Sequence, residues 1–122
     1  MRLESAAFAA QQLIPPIYTC DGADHSPPLS WQGVPPETVS LALICDDPDA
    51  PGKTWVHWVI YNLPPELGQL SAAIPPQAEL VNGGVQGKND FGRLGYGGPC
   101  PPAGVHRYFF KLYALDRRLD LK

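Results

Sequence analysis

The chain is poor in cysteine, in basic residues and in long apolar runs, and each shortage excludes a class of protein. Its 122 residues include three cysteines, and nine Lys and Arg stand against twelve Asp and Glu. The net charge of −3 leaves no basic excess for a nucleic-acid backbone. No stretch approaches the ~18 consecutive apolar residues of a transmembrane segment. The apolar run at residues 6–10 is too short for a signal peptide, so we expect an unprocessed cytoplasmic protein.

The cysteines do not have the pattern of a disulfide scaffold or a zinc site. Cys20, Cys45 and Cys100 are odd in number and cannot all pair within one chain. No CxxC or Cys/His cluster has zinc spacing. Because thiols stay reduced in the cytosol, we expect three reduced thiols, some of them buried. We expect neither a metal nor a cofactor.

Proline divides the sequence into short segments. Six Pro-Pro pairs end any helix and cannot lie inside a central strand, and they stand at 15–16, 27–28, 35–36, 64–65, 75–76 and 101–102. Several intervening segments are rich in β-branched and aromatic residues, which indicates an all-β protein. Because 122 residues suit one folding unit, we predict a single domain over residues 1–122.

Three segments have the character of strands with both faces covered. They are residues 39–45, 55–61 and 105–115, and their apolar character on both faces is typical of a sandwich centre. Residues 83–104 contain eight of the twelve glycines, which predicts a long loop. By propensity alone, residues 4–14 favour helix, and residues 66–73 could form a short helical turn.

Two histidines lie in these predicted strands among large apolar groups. Alternation places His106 and Tyr108 on the apolar face of the third strand, whereas Arg107 lies on the other face. Alternation likewise places His57 and Trp58 on opposite faces of the second strand. Either histidine alone is more often a hydrogen-bonded core residue than a functional one. Two of them, each beside a loop rich in Gly or Pro, favour a shared site.

Two loops could complete that site. Residues 46–51, Asp-Asp-Pro-Asp-Ala-Pro, form a proline-stiffened acidic loop directly after a predicted strand, although a solvated acidic turn remains an equal alternative. Residues 97–104 combine glycines, whose N–H groups can receive an anion, with prolines that hold the loop's shape. No Lys-Ser/Thr or helix follows them, which excludes a P-loop.

Taken together, the motifs resemble the phosphatidylethanolamine-binding protein family, and in particular its bacterial and archaeal Raf-kinase-inhibitor-like branch. The resemblance covers nearly the whole chain and depends on the set of motifs in their order. They are Tyr18-Thr-Cys-Asp-Gly22, Ser26-Pro-Pro-Leu-Ser-Trp31, Asp46-Asp-Pro-Asp-Ala-Pro51, Trp55-Val-His-Trp58, Asn89-Asp-Phe-Gly92, Gly98-Pro-Cys-Pro-Pro102 and Gly104-Val-His-Arg-Tyr108.

The resemblance implies a Greek-key β-sandwich with few short helices and a pocket for phosphate, acetate or a phospholipid head group. The implied ligand-binding residues are Asp47, Trp55, His57, Gly98, Pro99, Cys100, His106 and Tyr108. The Ala50–Pro51 bond is expected to be cis. Members of the family continue for a few dozen residues beyond the equivalent of Lys122, through a helical segment that helps cover the pocket. This chain stops at Lys122, so either it is a shortened form of such a protein or the cover is absent.

Three functions are compatible with these residues. We favour non-catalytic binding of a small anion or phosphorylated head group, with a role as an inhibitor or regulator of a kinase or protease. The alternatives are a hydrolase or lyase, or a metal-binding protein, that uses the same Asp and His residues. Cys100 is then the candidate nucleophile. Because the third strand is apolar on both faces and lacks the C-terminal cover, we also expect a homodimer.

Overall fold

The computed structural model describes residues 1–9, 12–100 and 106–121, and the regular secondary structure in this part of the chain is almost all β-strand. The strands are β1 (Arg2–Glu4), β2 (Leu29–Gln32), β3 (Ser40–Asp47), β4 (Trp55–Leu63), β5 (Gln69–Leu70), β6 (Val85–Gln86) and β7 (Phe109–Leu115). A single turn of 3-10 helix covers Pro16–Tyr18. No helical segment in the described ranges has the length and apolar character that crossing a membrane requires.

The strands form two antiparallel sheets that share one core. The smaller sheet has the order β1-β2-β5, and the larger has the order β6-β4-β3-β7. Apolar side chains from both sheets form one buried cluster, namely Leu29, Trp31, Leu41, Leu43, Cys45, Trp58, Ile60, Leu63 and Leu70. Because one cluster joins the two sheets, the predicted all-β sandwich is confirmed.

The Pro-Pro pairs lie outside the strands, as expected. Residues 27–28 directly precede β2, and residues 64–65 directly follow β4. Pairs 35–36 and 75–76 lie in connecting loops, and pair 15–16 leads into the 3-10 turn. Pair 101–102 lies outside the described residues. The central strands β3 and β4 match their predicted positions to within two residues at each end.

Both helix predictions are wrong. Residues 4–9 and 12–14 contain no helix, and the Ser5 hydroxyl instead donates a hydrogen bond to Pro28 O at 2.6 Å. A short helix is marginal without tertiary support, and this contact draws the segment toward β2. The second segment, 66–73, contains β5, because Leu70 is buried in the sandwich core and pairs with Leu29.

The third predicted strand, residues 105–115, corresponds to β7 and is shorter than predicted. It begins at Phe109, whereas Val105 lies outside the described residues and His106 to Tyr108 are not part of the strand. The Arg107 amide donates to Asp49 Oδ2 at 2.8 Å rather than to a neighbouring strand. Side-chain acceptors from the acidic loop thus replace the backbone ladder at this point. The Ala50–Pro51 bond in the same loop is trans, the lower-energy isomer, so the expected cis bond is also wrong.

Candidate functional site

Asp47 and His106 form a close pair at the end of β3. Asp47 is 3% exposed, and its Oδ2 accepts a hydrogen bond from His106 Nδ1 at 2.6 Å. Its other oxygen, Oδ1, accepts the Asp49 amide at 2.8 Å. Both carboxylate oxygens are therefore acceptors of hydrogen bonds from the protein itself. The resulting short, nearly buried pair brings together two residues that are 59 positions apart in the chain.

His57 reaches the site through a β-bulge in β4. Cys45 pairs with Trp58 and Asp46 pairs with Val56, so β4 has one residue more than β3 can match at this point. A bulge places two successive residues opposite one partner. His57 and Trp58 are consequently both buried, at 3% and 0% exposure. The strict alternation expected from the sequence, which placed these two side chains on opposite faces, is interrupted here.

Tyr108 lies between the two histidines. Its ring centroid is 5.3 Å from that of His57, with an edge-to-face angle of 87°, and 6.5 Å from that of His106 in a stacked arrangement. The buried Tyr108 hydroxyl has no hydrogen-bond partner among the described residues. Burial, followed by the negative charge of Asp47, raises the pKa of Tyr108 to about 12. The phenol therefore remains neutral and can donate a hydrogen bond.

The hydrogen bonds of the two imidazoles identify their protonated nitrogens. His57 Nδ1 lies 2.6 Å from Gly97 O, and a carbonyl oxygen can only accept, so His57 Nδ1 carries a proton. The same argument applies to His106 Nδ1, which faces the Asp47 carboxylate. Each Nε2 is then the nitrogen left to act on a ligand. It accepts when the ring is neutral and donates when the ring is protonated.

Gly97 and Gly98 of the glycine loop lie at the rim of the site, and their amides already donate hydrogen bonds within the protein. The Gly97 amide donates to His57 O at 2.9 Å, and the Gly98 amide donates to Asp24 Oδ1 at 2.8 Å. The expectation that these glycine N–H groups receive an anion is therefore wrong for both residues. A Cβ on Gly98 would lie 2.4 Å from Tyr18 O, so glycine is needed there for the close approach of two backbones. Pro99 is buried next to them. Gly104 lies outside the described residues.

Cys100 forms a disulfide with Cys20, so the expectation of three reduced thiols is wrong. Their Cα atoms are 5.4 Å apart, within the range that a disulfide requires. The Cys20 amide also donates to Pro99 O at 3.2 Å, and this contact sets the two loops side by side. Only Cys45 is a free thiol, and it is buried. Burial raises the pKa of the Cys45 thiol far above its ordinary range.

Trp55 lies at the outer wall of the site with an aromatic neighbour that the sequence did not single out. Its ring is 5.5 Å from Phe91, which in turn is 5.3 Å from His57, and both contacts are edge-to-face. The Lys53 ammonium lies 5.8 Å from the centre of the Trp55 ring. Trp55 therefore contacts the site through Phe91, which packs on both the tryptophan and the histidine.

Three acid–base pairs cross between the acidic loop and the start of β7. Asp46 accepts from Lys111 Nζ at 2.9 Å, next to the Asp47–His106 pair. The third pair joins Asp49 and Arg107, with 2.8 Å between the Arg107 Nη2 and the carboxylate. Hydrogen bonds from Arg107 lower the pKa of Asp49 to about 2. Each described cation of this region thus faces a carboxylate of its own.

The sequence analysis missed four residues that shape the site: Asp24, Asp49, Phe91 and Arg107. Asp49, Phe91 and Arg107 belong to quoted motifs, so their position in a motif was an available signal. Asp24 lies in a loop 74 residues before Gly98 in the chain, and no local pattern could have indicated their contact. Arg107 was assigned to the solvent face, which agrees with its exposure but does not reveal its partner.

A cleft of about 1480 Å³ opens beside the Asp47–His106 pair. Pro99, His106 and Tyr108 line one end, and residues 2–9 of the N-terminal segment form the opposite wall. Asp47 and His57 are not among the residues that line the cleft. Among the described residues, no group of three or more His, Cys, Asp and Glu side chains could hold a metal ion.

Comparison with known proteins identifies the class to which this fold and site belong. Residues 4–122 match the sequence model of the phosphatidylethanolamine-binding protein family. A UPF0098 protein of Methanothermobacter thermautotrophicus is 62% identical over 122 residues, which cover 100% of this chain and 81% of the relative. A UPF0098 protein of Aquifex aeolicus is 52% identical, with 95% of this chain and 68% of the relative covered. The chain therefore belongs to the phosphatidylethanolamine-binding protein family.

Two crystal structures show the same fold. YbcL of Escherichia coli, described as a new member of the mammalian family, superposes with a TM-score of 0.89 at 35% identity. That comparison covers 98% of this chain and 80% of YbcL. A phosphatidylethanolamine-binding protein homologue of Chlamydia trachomatis superposes with a TM-score of 0.87 at 43% identity, covering 98% of this chain and 78% of that protein.

Proposed function

We propose that this protein binds small anions or phosphorylated head groups at Asp47, His57, His106 and Tyr108, without catalysing a reaction. One observation carries the proposal. Both imidazoles use Nδ1 for contacts within the protein, and both rings pack against Tyr108, whose buried hydroxyl has no described partner. Buried polar groups are normally hydrogen-bonded, and an anion could accept hydrogen bonds from this hydroxyl and from a protonated imidazole. Trp55, Gly98, Pro99 and Cys100 shape the surrounding wall.

The charge of the site determines how binding depends on pH. Asp47 repels an anion, and Lys111 and Arg107 face Asp46 and Asp49, so a protonated histidine must supply the attraction. A protonated imidazole attracts an anion, and a neutral imidazole does not. Binding should therefore be strongest at low pH and weaken as the pH rises. Hydrogen bonds from Tyr108 are unaffected, because the phenol stays neutral throughout this range.

The alternative functions have less support at this site. A hydrolase that uses Cys100 needs its thiolate, and the sulfur of Cys100 is bonded to Cys20. A metal-binding protein needs at least three ligands, and the described residues contain no such group. The resemblance additionally suggests regulation of a protein kinase or serine protease, which we include in the proposal. Inhibition assays with one purified enzyme of each class test this regulatory role.

Location and assembly complete the proposal. We propose a cytoplasmic homodimer, in which the exposed side chains of β7, including Phe109 and Tyr113, form the contact. A Cys20–Cys100 disulfide would be unusual in a reducing cytosol, so the redox state of this pair in cells tests the proposed location. Alkylation of thiols in acid-quenched cells that finds the pair oxidised would contradict a cytoplasmic location. A clean monomer by light scattering at micromolar concentration would contradict the dimer.

Calorimetric titration with sulfate tests the binding proposal, because the charge of sulfate is constant between pH 5 and 8. We expect binding at pH 5.5 that is at least tenfold weaker at pH 7.5. His57→Ala and His106→Ala should each reduce affinity, whereas the matched control His25→Ala should not, because His25 is exposed and lies outside the site. Titration with phosphoethanolamine distinguishes a head group from a simple anion. Equal affinity of all three variants would refute the proposed site.

A further inference from the structure

We propose that Asp49 and Arg107 form a clamp that positions His106 for anion binding, although neither residue needs to touch the ligand. This inference rests on the proposed function and names two positioning residues for it. Both residues are exposed in comparison with the pair they support, since the Asp47 and His106 side chains are 4% and 11% exposed. Arg107 lines the same cleft as His106, whereas Asp49 does not.

The clamp has two independent attachments. Arg107 Nη2 donates to Asp49 Oδ1 at 2.8 Å, and Arg107 Nε donates to Asp49 Oδ2 at 3.0 Å, which is a bidentate arrangement. The Arg107 backbone amide also donates to Asp49 Oδ2 at 2.8 Å. One carboxylate thus holds both the side chain and the backbone of the residue that directly follows His106.

The clamp closes a ring of contacts around the histidine. The Asp49 amide donates to Asp47 Oδ1 at 2.8 Å, and Asp47 Oδ2 accepts from His106 Nδ1 at 2.6 Å. His106 is covalently joined to Arg107, which returns to Asp49. Because no strand ladder begins until Phe109, these side-chain contacts do the work that backbone pairing does elsewhere in β7. The ring fixes which way His106 Nε2 faces.

An ordinary exposed ion pair contributes little to the free energy of folding. The Asp49–Arg107 pair differs from such a pair in its geometry and in the pH range over which it stays charged. It is bidentate and includes a backbone donor, so it limits rotation as well as separation. Hydrogen bonds from Arg107 also lower the pKa of Asp49 to about 2, so the carboxylate stays charged throughout the pH range of the binding assays. The clamp is therefore not itself a switch.

The Asp49→Ala variant distinguishes a positioning role from a charge effect, because the two predict opposite changes in anion affinity. Removal of a negative charge near an anion site should strengthen anion binding if charge alone matters. If Asp49 positions His106, the variant should bind sulfate about fivefold more weakly or worse. Asp49→Asn, which keeps an acceptor for the Arg107 amide, should lose less. Asp116→Ala is the matched control, since Asp116 is an exposed carboxylate beside Arg117 at the far end of β7.

A second measurement needs no ligand and keeps the inference separate from the proposed function. In the wild type, the His106 Nδ1 proton should exchange slowly with solvent in NMR spectra, because it is hydrogen-bonded and nearly buried. Asp49→Ala should accelerate its exchange about tenfold or more, while thermal unfolding shows that the variant remains folded.

The sulfate affinity of Asp49→Ala and the exchange rate of its His106 Nδ1 proton together test the clamp. Weaker sulfate binding together with faster exchange in Asp49→Ala supports the clamp. Equal or tighter binding, or unchanged exchange, overturns it. If the wild type does not bind sulfate, the proposed function fails. The exchange rate then decides alone whether Asp49 positions His106. An equal loss of sulfate affinity in Asp116→Ala would show that the loss does not depend on the Asp49–Arg107 contact and would also overturn the clamp.

Discussion

The Cys20–Cys100 disulfide makes the sharpest prediction about stability. The bond joins residues separated by 80 positions, so it closes most of the described chain into one covalent loop. In the chain-entropy account, a loop of this length lowers the entropy of the unfolded state by the equivalent of about 4.5 kcal/mol at 25 °C. Measured losses are usually about 2–4 kcal/mol. We therefore expect Cys20→Ala/Cys100→Ala to lose stability in this range, with Tm lower by about 10–15 °C.

Urea unfolding followed by tryptophan fluorescence measures this loss. The wild type should show the same decrease after reduction by a dithiol. The double variant should be insensitive to the reductant, which makes it the matched control. Cys45 is present in both proteins, so its exposure on unfolding affects both in the same way. A loss below about 1 kcal/mol, or a reductant effect of equal size on the double variant, would refute the argument from loop closure.

Four further predictions follow from individual residues. Cys45 should resist a thiol reagent at pH 8 in the folded protein and react on unfolding, since burial raises its pKa; rapid reaction without unfolding would contradict this. The pKa of Asp49 is lowered to about 2, so its contribution is present above the unfolded pKa near 4 and disappears as the pH falls through 2. The Tm difference between wild type and Asp49→Asn should accordingly shrink from pH 5 to pH 2, and a constant difference would exclude the ion pair as its source. Trp58→Ala should cost about 3–5 kcal/mol in urea unfolding, because this 0% exposed ring fills the core; a cost under 1 kcal/mol would mean that the core collapses around the gap. Gly98→Ala should destabilise the protein by about 1–3 kcal/mol, because the added Cβ would overlap the Tyr18 backbone oxygen. Gly68→Ala is the control, because a Cβ at that position has no other atom within 4 Å.

The sequence by itself determined the two central strands, β3 and β4, and the family. Local signals are sufficient for strands such as β3 and β4, because apolar β-branched and aromatic runs between Pro-Pro pairs have few other conformations. The quoted motifs likewise led to the correct family, which the match over residues 4–122 confirms. Helix propensity predicted the wrong structure for two short segments in which the preference for helix is weak. Tertiary contacts of Ser5 and Leu70 hold these segments in other conformations.

Only the tertiary structure decided how the site is assembled. Alternation could not place His57 and Trp58, because a bulge depends on the match between two strands rather than on either alone. The disulfide and the contact of Asp24 with Gly98 join residues 80 and 74 positions apart, and no local pattern encodes such a distance. The same holds for the Asp49–Arg107 contact across 58 positions. Sequence specifies which side chains are available, whereas pairing between distant segments determines which atoms remain free to bind.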